Sequence, residues 1–64
     1  GLTFSEFVRR ERLARARAVL RSKAFADVSI AEIAYRFGFF DSAHFSNMFK
    51  RYYKISPSEF RRRG

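Results

Sequence analysis

Between Ser42 and Lys50 the chain carries Ser42, Ala43, His44, Ser46, Asn47 and Lys50, interrupted by the apolar Phe45, Met48 and Phe49. On a helix turning roughly 100° per residue, Ala43, Ser46, Asn47 and Lys50 share one face, flanked by His44 and Arg51. Phe45, Met48, Phe49 and Tyr52 then point inward. The polar face is rich in short hydrogen-bonding groups but has no nucleophile, base and acid to form a catalytic set. Such groups match base edges: an Asn amide pairs bidentately with adenine, Lys bonds guanine, and an Ala methyl touches that of thymine. Ser42 and His44, in the first turn, can serve a base or a phosphate, because a helix start offers free N–H groups and partial positive charge. The plainer alternative is that Ser46 and Asn47 are solvent-facing residues of any helical domain. The surrounding elements decide between the two.

Three start signals of one kind punctuate the chain: Thr3-x-x-Glu6, Ser29-x-x-Glu32 and Ser56-x-x-Glu59 each read as a capping box. Pro57 follows Ser56 at the first helical position, where a missing N–H costs nothing. The first helix is expected from about Phe4 to Lys23. Val8, Leu13, Ala16, Val19 and Leu20 fall on one side, and Phe7, Ala14 and Ala18 on nearly the opposite one. Two apolar faces imply packing on both. A second helix runs from Ile30 to about Phe37, with Ile30, Ile33, Ala34 and Phe37 at i, i+3, i+4 and i+7. Gly38 follows at once, able to enter the left-handed region without steric cost. Asp41 is the N-cap of a third helix, Ser42 to about Tyr53, and a short fourth helix follows Ser56-Pro57. No stretch alternates with period two, so the fold class is all-α. A short helix, a sharp glycine turn and a helix with a polar outer face form a helix-turn-helix arrangement.

Charge sorts the chain in the same way. The whole carries +8, but residues 9–23 hold +6 and residues 50–63 hold +5, while residues 24–49 sum to −2. Two basic blocks around a near-neutral apolar middle favour phosphate contact over a merely solvated Arg-rich surface. Nine Phe make the chain too apolar for a disordered basic tail. With no Cys and one His, disulfides and the usual metal clusters are excluded, so no cofactor or metal is expected. His44 alone holds no metal and has no catalytic partners, so an enzyme is not expected. No uncharged run approaches the ~20 residues of a membrane span. Two other binding classes remain as alternatives. One is a basic amphipathic membrane-surface element, for which the first helix has the Arg content but splits its apolar residues between faces. The other is RNA binding, which favours exposed aromatics for stacking, whereas most aromatics here point inward.

The two ends of the chain resemble each other. GLTFSEFVRR at residues 1–10 and KISPSEFRRR at residues 54–63 agree at Ser5/Ser58, Glu6/Glu59, Phe7/Phe60, Arg9/Arg62 and Arg10/Arg63. Reuse of a helix-start signal is one explanation. A duplicated module is the other, with its second copy whole and only the tail of its first copy present. On that reading the first helix is a connector that must pack against both modules, which accounts for its two apolar faces. The domain division is then residues 1–24, linker helix and remnant of an upstream module, and residues 25–64, the second helix-turn-helix.

The stretch Ser29-Ile30-Ala31-Glu32-Ile33-Ala34, then Gly38-Phe39, Asp41-Ser42-Ala43-His44-Phe45-Ser46, Phe49-Lys50-Arg51 and Ser56-Pro57 resembles the signature of AraC/XylS-type transcription regulators. Phe7-Val8, Arg12-Leu13, Ala16 and Leu20 are similar to that family's linker helix. The resemblance covers nearly the whole chain. It implies a long linker helix followed by a homeodomain-like three-helix unit, the second of two helix-turn-helix modules that read successive major-groove segments on one face of double-stranded DNA. Carried over by position, the recognition helix is Ser42–Tyr53, with Ser42, Ala43, His44, Ser46 and Asn47 facing bases. Asn47 stands where the family commonly has Arg, so base preference should differ. Lys54 stands where Gly is common, which leaves either a left-handed Lys54 or a different helix end. The resemblance further implies a bacterial cytoplasmic protein, at the nucleoid when bound, that contacts RNA polymerase if it is an activator. A separate effector or dimerisation domain, usual in the family, is not in this chain.

The remaining residues divide between phosphate contact and core. Lys50, Arg51, Lys54, Arg61 and Arg62 are the phosphate candidates, with Arg61–Arg63 read as a frayed basic tail. Arg12 aligns with a marked family arginine on the inner side of the first helix; an internal ion pair is the first expectation for it and DNA contact the second. Phe37, Phe39, Phe45, Phe49 and Phe60 are expected in the core, while Phe40 and Tyr53 are expected at its edge or outside. The uncovered face of the first helix is expected to make the chain self-associate.

Overall fold

The computed structural model describes residues 3–63, which form four α-helices: α1 (Phe4–Leu20), α2 (Ile30–Arg36), α3 (Ser42–Tyr53) and α4 (Pro57–Arg63). A single 3-10 turn, Lys23–Phe25, separates α1 from α2. The all-α expectation holds, and α3 begins and ends where its cap and periodicity place it. The first helix stops three residues short of the expected Lys23, because Ser22 adopts an extended backbone (φ −75°, ψ 130°). The second stops one residue early, with Phe37 as its C-cap.

Every helix start uses the expected side chain. Thr3 Oγ1, Ser29 Oγ and Ser56 Oγ accept from the backbone N–H of Glu6, Glu32 and Glu59 at 3.1, 3.1 and 3.2 Å, and Asp41 Oδ1 accepts from His44 N at 2.7 Å. The boxes close on one side only. Instead of reaching back to the cap N–H, Glu6 accepts from the Thr3 hydroxyl at 3.0 Å, Glu32 pairs with Arg36 at 3.2 Å and Glu59 with Arg62 at 3.8 Å.

The turn between α2 and α3 is a Schellman motif. Gly38 sits at φ +88°, its N–H donates to Tyr35 O at 3.1 Å, and the Phe39 N–H donates to Ala34 O at 2.9 Å. The motif reverses the chain and drops Phe39 into the core immediately before Asp41 starts α3. At the other end of α3, Lys54 takes the left-handed conformation (φ 64°) and donates its N–H to Lys50 O at 2.8 Å. A non-glycine residue thus does the work of a helix-ending glycine.

The core joins Leu13, Ala16 and Leu20 of α1, Ile33 and Ala34 of α2, Phe45 and Phe49 of α3, Phe60 of α4, and Phe39 from the turn. A chain of rings runs through it, tilted from Phe39 to Phe45 at 5.1 Å and Phe45 to Phe49 at 5.8 Å, and edge-on from Phe49 to Phe60 at 5.6 Å between centroids. Such pairings add to the burial of the rings themselves. Phe37 is only half-buried against this cluster. At the end of α3 the expected order is reversed: Tyr53 packs on Phe49 at 4.8 Å, and Tyr52 is exposed. The cause is tertiary, since Phe60 and the Arg17 guanidinium approach α3 on the Tyr53 side.

Candidate nucleic-acid interface

Burial of Phe45 and Phe49 fixes the roll of α3 and therefore which residues it turns outward. Ala43, His44, Asn47, Lys50 and Arg51 are exposed, and Ser42 and Ser46 are half-buried at the edges of the same face. The first turn of this face carries the Asp41 cap and the His44 ring, which stands 6.1 Å from Phe39. All five base-facing candidates are thus brought together on one side of one helix, held by a turn whose geometry is set by Gly38. Among the described residues, none of the Ser42, His44, Ser46 and Asn47 side chains enters a hydrogen bond. Their donors and acceptors are free to meet a ligand.

The basic residues divide differently from expectation. Lys50, Arg51 and Lys54 are exposed around the C-terminal half of α3, and Arg62 is exposed on α4 beside Glu59. Arg61 departs from the reading as a frayed tail: it is half-buried, its Nη2 donates to Phe25 O at 3.3 Å, and its Nε is buried without a partner. The α4 helix docks on α1, and Arg61 ties it to the 3-10 turn through the Phe25 carbonyl.

Part of the basic block on α1 is also committed inward. Arg21 lies 4.4 Å from the Phe60 ring centroid, and Arg17 lies 5.0 Å from Tyr53 and 5.3 Å from Phe60. These cation–π contacts cover the aromatic core with guanidinium groups, a role that composition does not reveal. Arg12 forms no ion pair in the described structure, contrary to its first expectation; the pairs present are Arg36–Glu32 and Arg62–Glu59. Arg12 is exposed, and its guanidinium instead lies against Gly38.

Among the described residues, no group of three or more His, Cys, Asp or Glu is placed to hold a metal ion, and no helix is long and apolar enough to cross a membrane. The observed architecture is a helix, a glycine-pinned turn and an outward polar helix flanked by exposed basic side chains.

Comparison with known proteins agrees with that geometry. A family described as a helix-turn-helix domain matches residues 1–63. The HTH-type transcriptional activator RhaS of Enterobacter sp. (strain 638) is 48% identical over 61 residues, covering 95% of this chain and 21% of its own. The proteins of the same name from Salmonella arizonae and Salmonella newport give the same identity and coverage. The chain therefore spans about a fifth (21%) of the length of these curated relatives. No solved structure matches it. By the extent of the family match and the geometry of the turn and helix, the chain belongs to the AraC-type helix-turn-helix family of DNA-binding transcription regulators.

Proposed function

We propose that α3 is the recognition helix of this domain and enters the major groove of double-stranded DNA, with Ser42, Ala43, His44, Ser46 and Asn47 reading bases. Lys50, Arg51, Lys54 and Arg62 then anchor flanking phosphates. The observation that carries the reading is the outward polar face of α3, fixed by burial of Phe45 and Phe49 and left free of intramolecular hydrogen bonds. Short side chains on such a face allow close approach of the helix to the groove floor. The role is binding, with no catalysis. Selection from a random duplex pool by the 64-residue chain tests this. Recovery of a defined site, altered by substitution at Ser46 or Asn47, is the expected result; identical pools from every variant at positions 42–47 would overturn it.

The domain reading follows from Phe7 and Phe60. These residues occupy equivalent places in the repeated segments, yet Phe60 is 6% exposed and Phe7 is 54% exposed. Phe60 finds its module in α1 and α3. We infer that Phe7 has a module of its own, a first helix-turn-helix that packs on the opposite face of α1, and that residues 1–24 serve as the linker between the two. Without that cover, the face also supports self-association of the chain.

The relatives are named as transcriptional activators. We extend that role to the protein from which this domain reads DNA: an activator in the bacterial cytoplasm, at the nucleoid when bound, that presents an outer surface to RNA polymerase. Run-off transcription from a selected site, with and without the chain fused to its natural flanking sequence, checks this.

A further inference from the structure

Arg9 and Arg12 stand on adjacent turns of the N-terminal half of α1, both exposed and, among the described residues, neither in an ion pair. With Ser5, Gly38, Phe40 and His44 they line an open concavity of about 320 Å³ between α1 and the turn that leads into α3. No Asp or Glu contributes to this lining; Glu11 borders the neighbouring hollow that Arg12 also lines, and among the described residues neither guanidinium is paired with a carboxylate. The concavity is continuous with the base-facing side of α3, because His44 belongs to both. Its rim is aromatic: Phe4 and Phe40 are 81% and 90% exposed. Two forked cations, an imidazole and a hydroxyl around one hollow suit an anion with several acceptor oxygens. An exposed ring beside them suits the apolar face of a sugar.

We propose that this concavity holds a phosphodiester of the DNA backbone next to the segment read by α3, with Arg9 and Arg12 as its ligands and Phe40 against the adjoining deoxyribose. The inference rests on α3 lying in the major groove and adds α1 to the interface. It also gives the basic block of α1 two functions. Arg17 and Arg21 cover core aromatics, whereas Arg9 and Arg12 neutralise DNA.

The test is binding of the 64-residue chain to its selected duplex and to a shuffled duplex over a range of salt concentrations. Arg9 is the primary position, because Arg12 also packs on Gly38 and its loss can disturb the turn. Arg9→Ala should lower the slope of log affinity against log salt by about one unit and weaken both duplexes by a similar factor. Arg9→Lys should keep the slope. Phe40→Ala should weaken both duplexes and leave the slope unchanged. A neutral methylphosphonate placed at successive positions should, at one position only, reproduce the Arg9→Ala loss in the parent and add nothing to the variant. An unchanged slope for Arg9→Ala, while Asn47→Ala still alters base preference, overturns the phosphate site and leaves the α3 reading intact. A parent chain without base preference whose slope still falls on Arg9→Ala upholds the phosphate contact and overturns the α3 reading instead.

Discussion

The guanidinium of Arg12 lies over Gly38 so closely that a Cβ added to the glycine would stand 3.3 Å from Arg12 Cζ and Nη1. One contact thus links the middle of α1 to the turn that aims α3. The glycine meets two demands there, a positive φ of 88° and close approach of a neighbouring group.

Gly38→Ala should therefore destabilise the chain, mainly through backbone conformation. A left-handed L-residue costs roughly 1–2 kcal/mol. The displaced Arg12 tip adds little, since it can swing toward solvent. Urea denaturation followed by circular dichroism reads the change. A midpoint equal to the parent's would show that the turn can re-form without the positive φ.

Lys54 poses the same problem in reverse, since it holds φ 64° with a full side chain. Lys54→Gly should raise stability by about 1 kcal/mol, the relief of left-handed strain less the added freedom of glycine in the unfolded chain. It should also reduce the salt dependence of DNA binding by about one unit if Lys54 meets a phosphate. A variant that is less stable than the parent would mean that Lys54 has a compensating interaction in the fold.

These two positions mark what was legible in the sequence. The caps at Thr3, Ser29, Asp41 and Ser56 and the glycine turn are local signals, each written within a few residues, and the helix starts follow from them, whereas the end of α1 does not. The polar face of α3 was legible because Phe45 and Phe49, four residues apart, fix its roll. Arg12, Arg61 and Tyr53 were not, because their surroundings depend on how helices distant in sequence cross. Helical periodicity turns Tyr52 inward, but α1 and α4 meet α3 at its neighbour. Charge counting marked Arg17, Arg21 and Arg61 as available to DNA, whereas the fold uses their planar cations on Phe60 and on the Phe25 carbonyl.

Arg61 and Arg62 consequently separate by assay. Arg61→Ala removes a charged hydrogen bond to Phe25 O and the packing around it, so it should cost about 1–2 kcal/mol of stability. Arg62→Ala removes an exposed pair with Glu59 and should leave stability within about 0.5 kcal/mol while reducing DNA affinity at low salt. Denaturation midpoints and salt-dependent binding, measured on both variants, check the contrast. Equal stability of the two would refute the anchoring role of Arg61.

On α3 itself, base reading and phosphate anchoring predict different signatures. Asn47→Ala should change preference at one position of the selected site, at a cost of ~1–3 kcal/mol for that base pair. Arg51→Ala should weaken all duplexes alike and lower the salt slope by about one unit. Competition binding with single-position site variants distinguishes them. A uniform loss for Asn47→Ala would move it from base reading to backbone contact.

Phe7 gives the last prediction, because its exposure has a definite alternative in the buried Phe60. A large ring held in water favours any surface that covers it, by about 25 cal/mol per Å² of apolar area removed from solvent. In the isolated 64-residue chain the available cover is a second copy, so sedimentation should show association that rises with concentration. Phe7→Ser should shift the chain toward monomer without lowering its denaturation midpoint, since Phe7 lies outside the core formed around Leu13, Phe45 and Phe49. Adding the natural sequence upstream of residue 1 should have the same effect on association while leaving Phe7 in place. A parent chain that remains monomeric throughout would count against a second packing face on α1, and with it against the two-module reading.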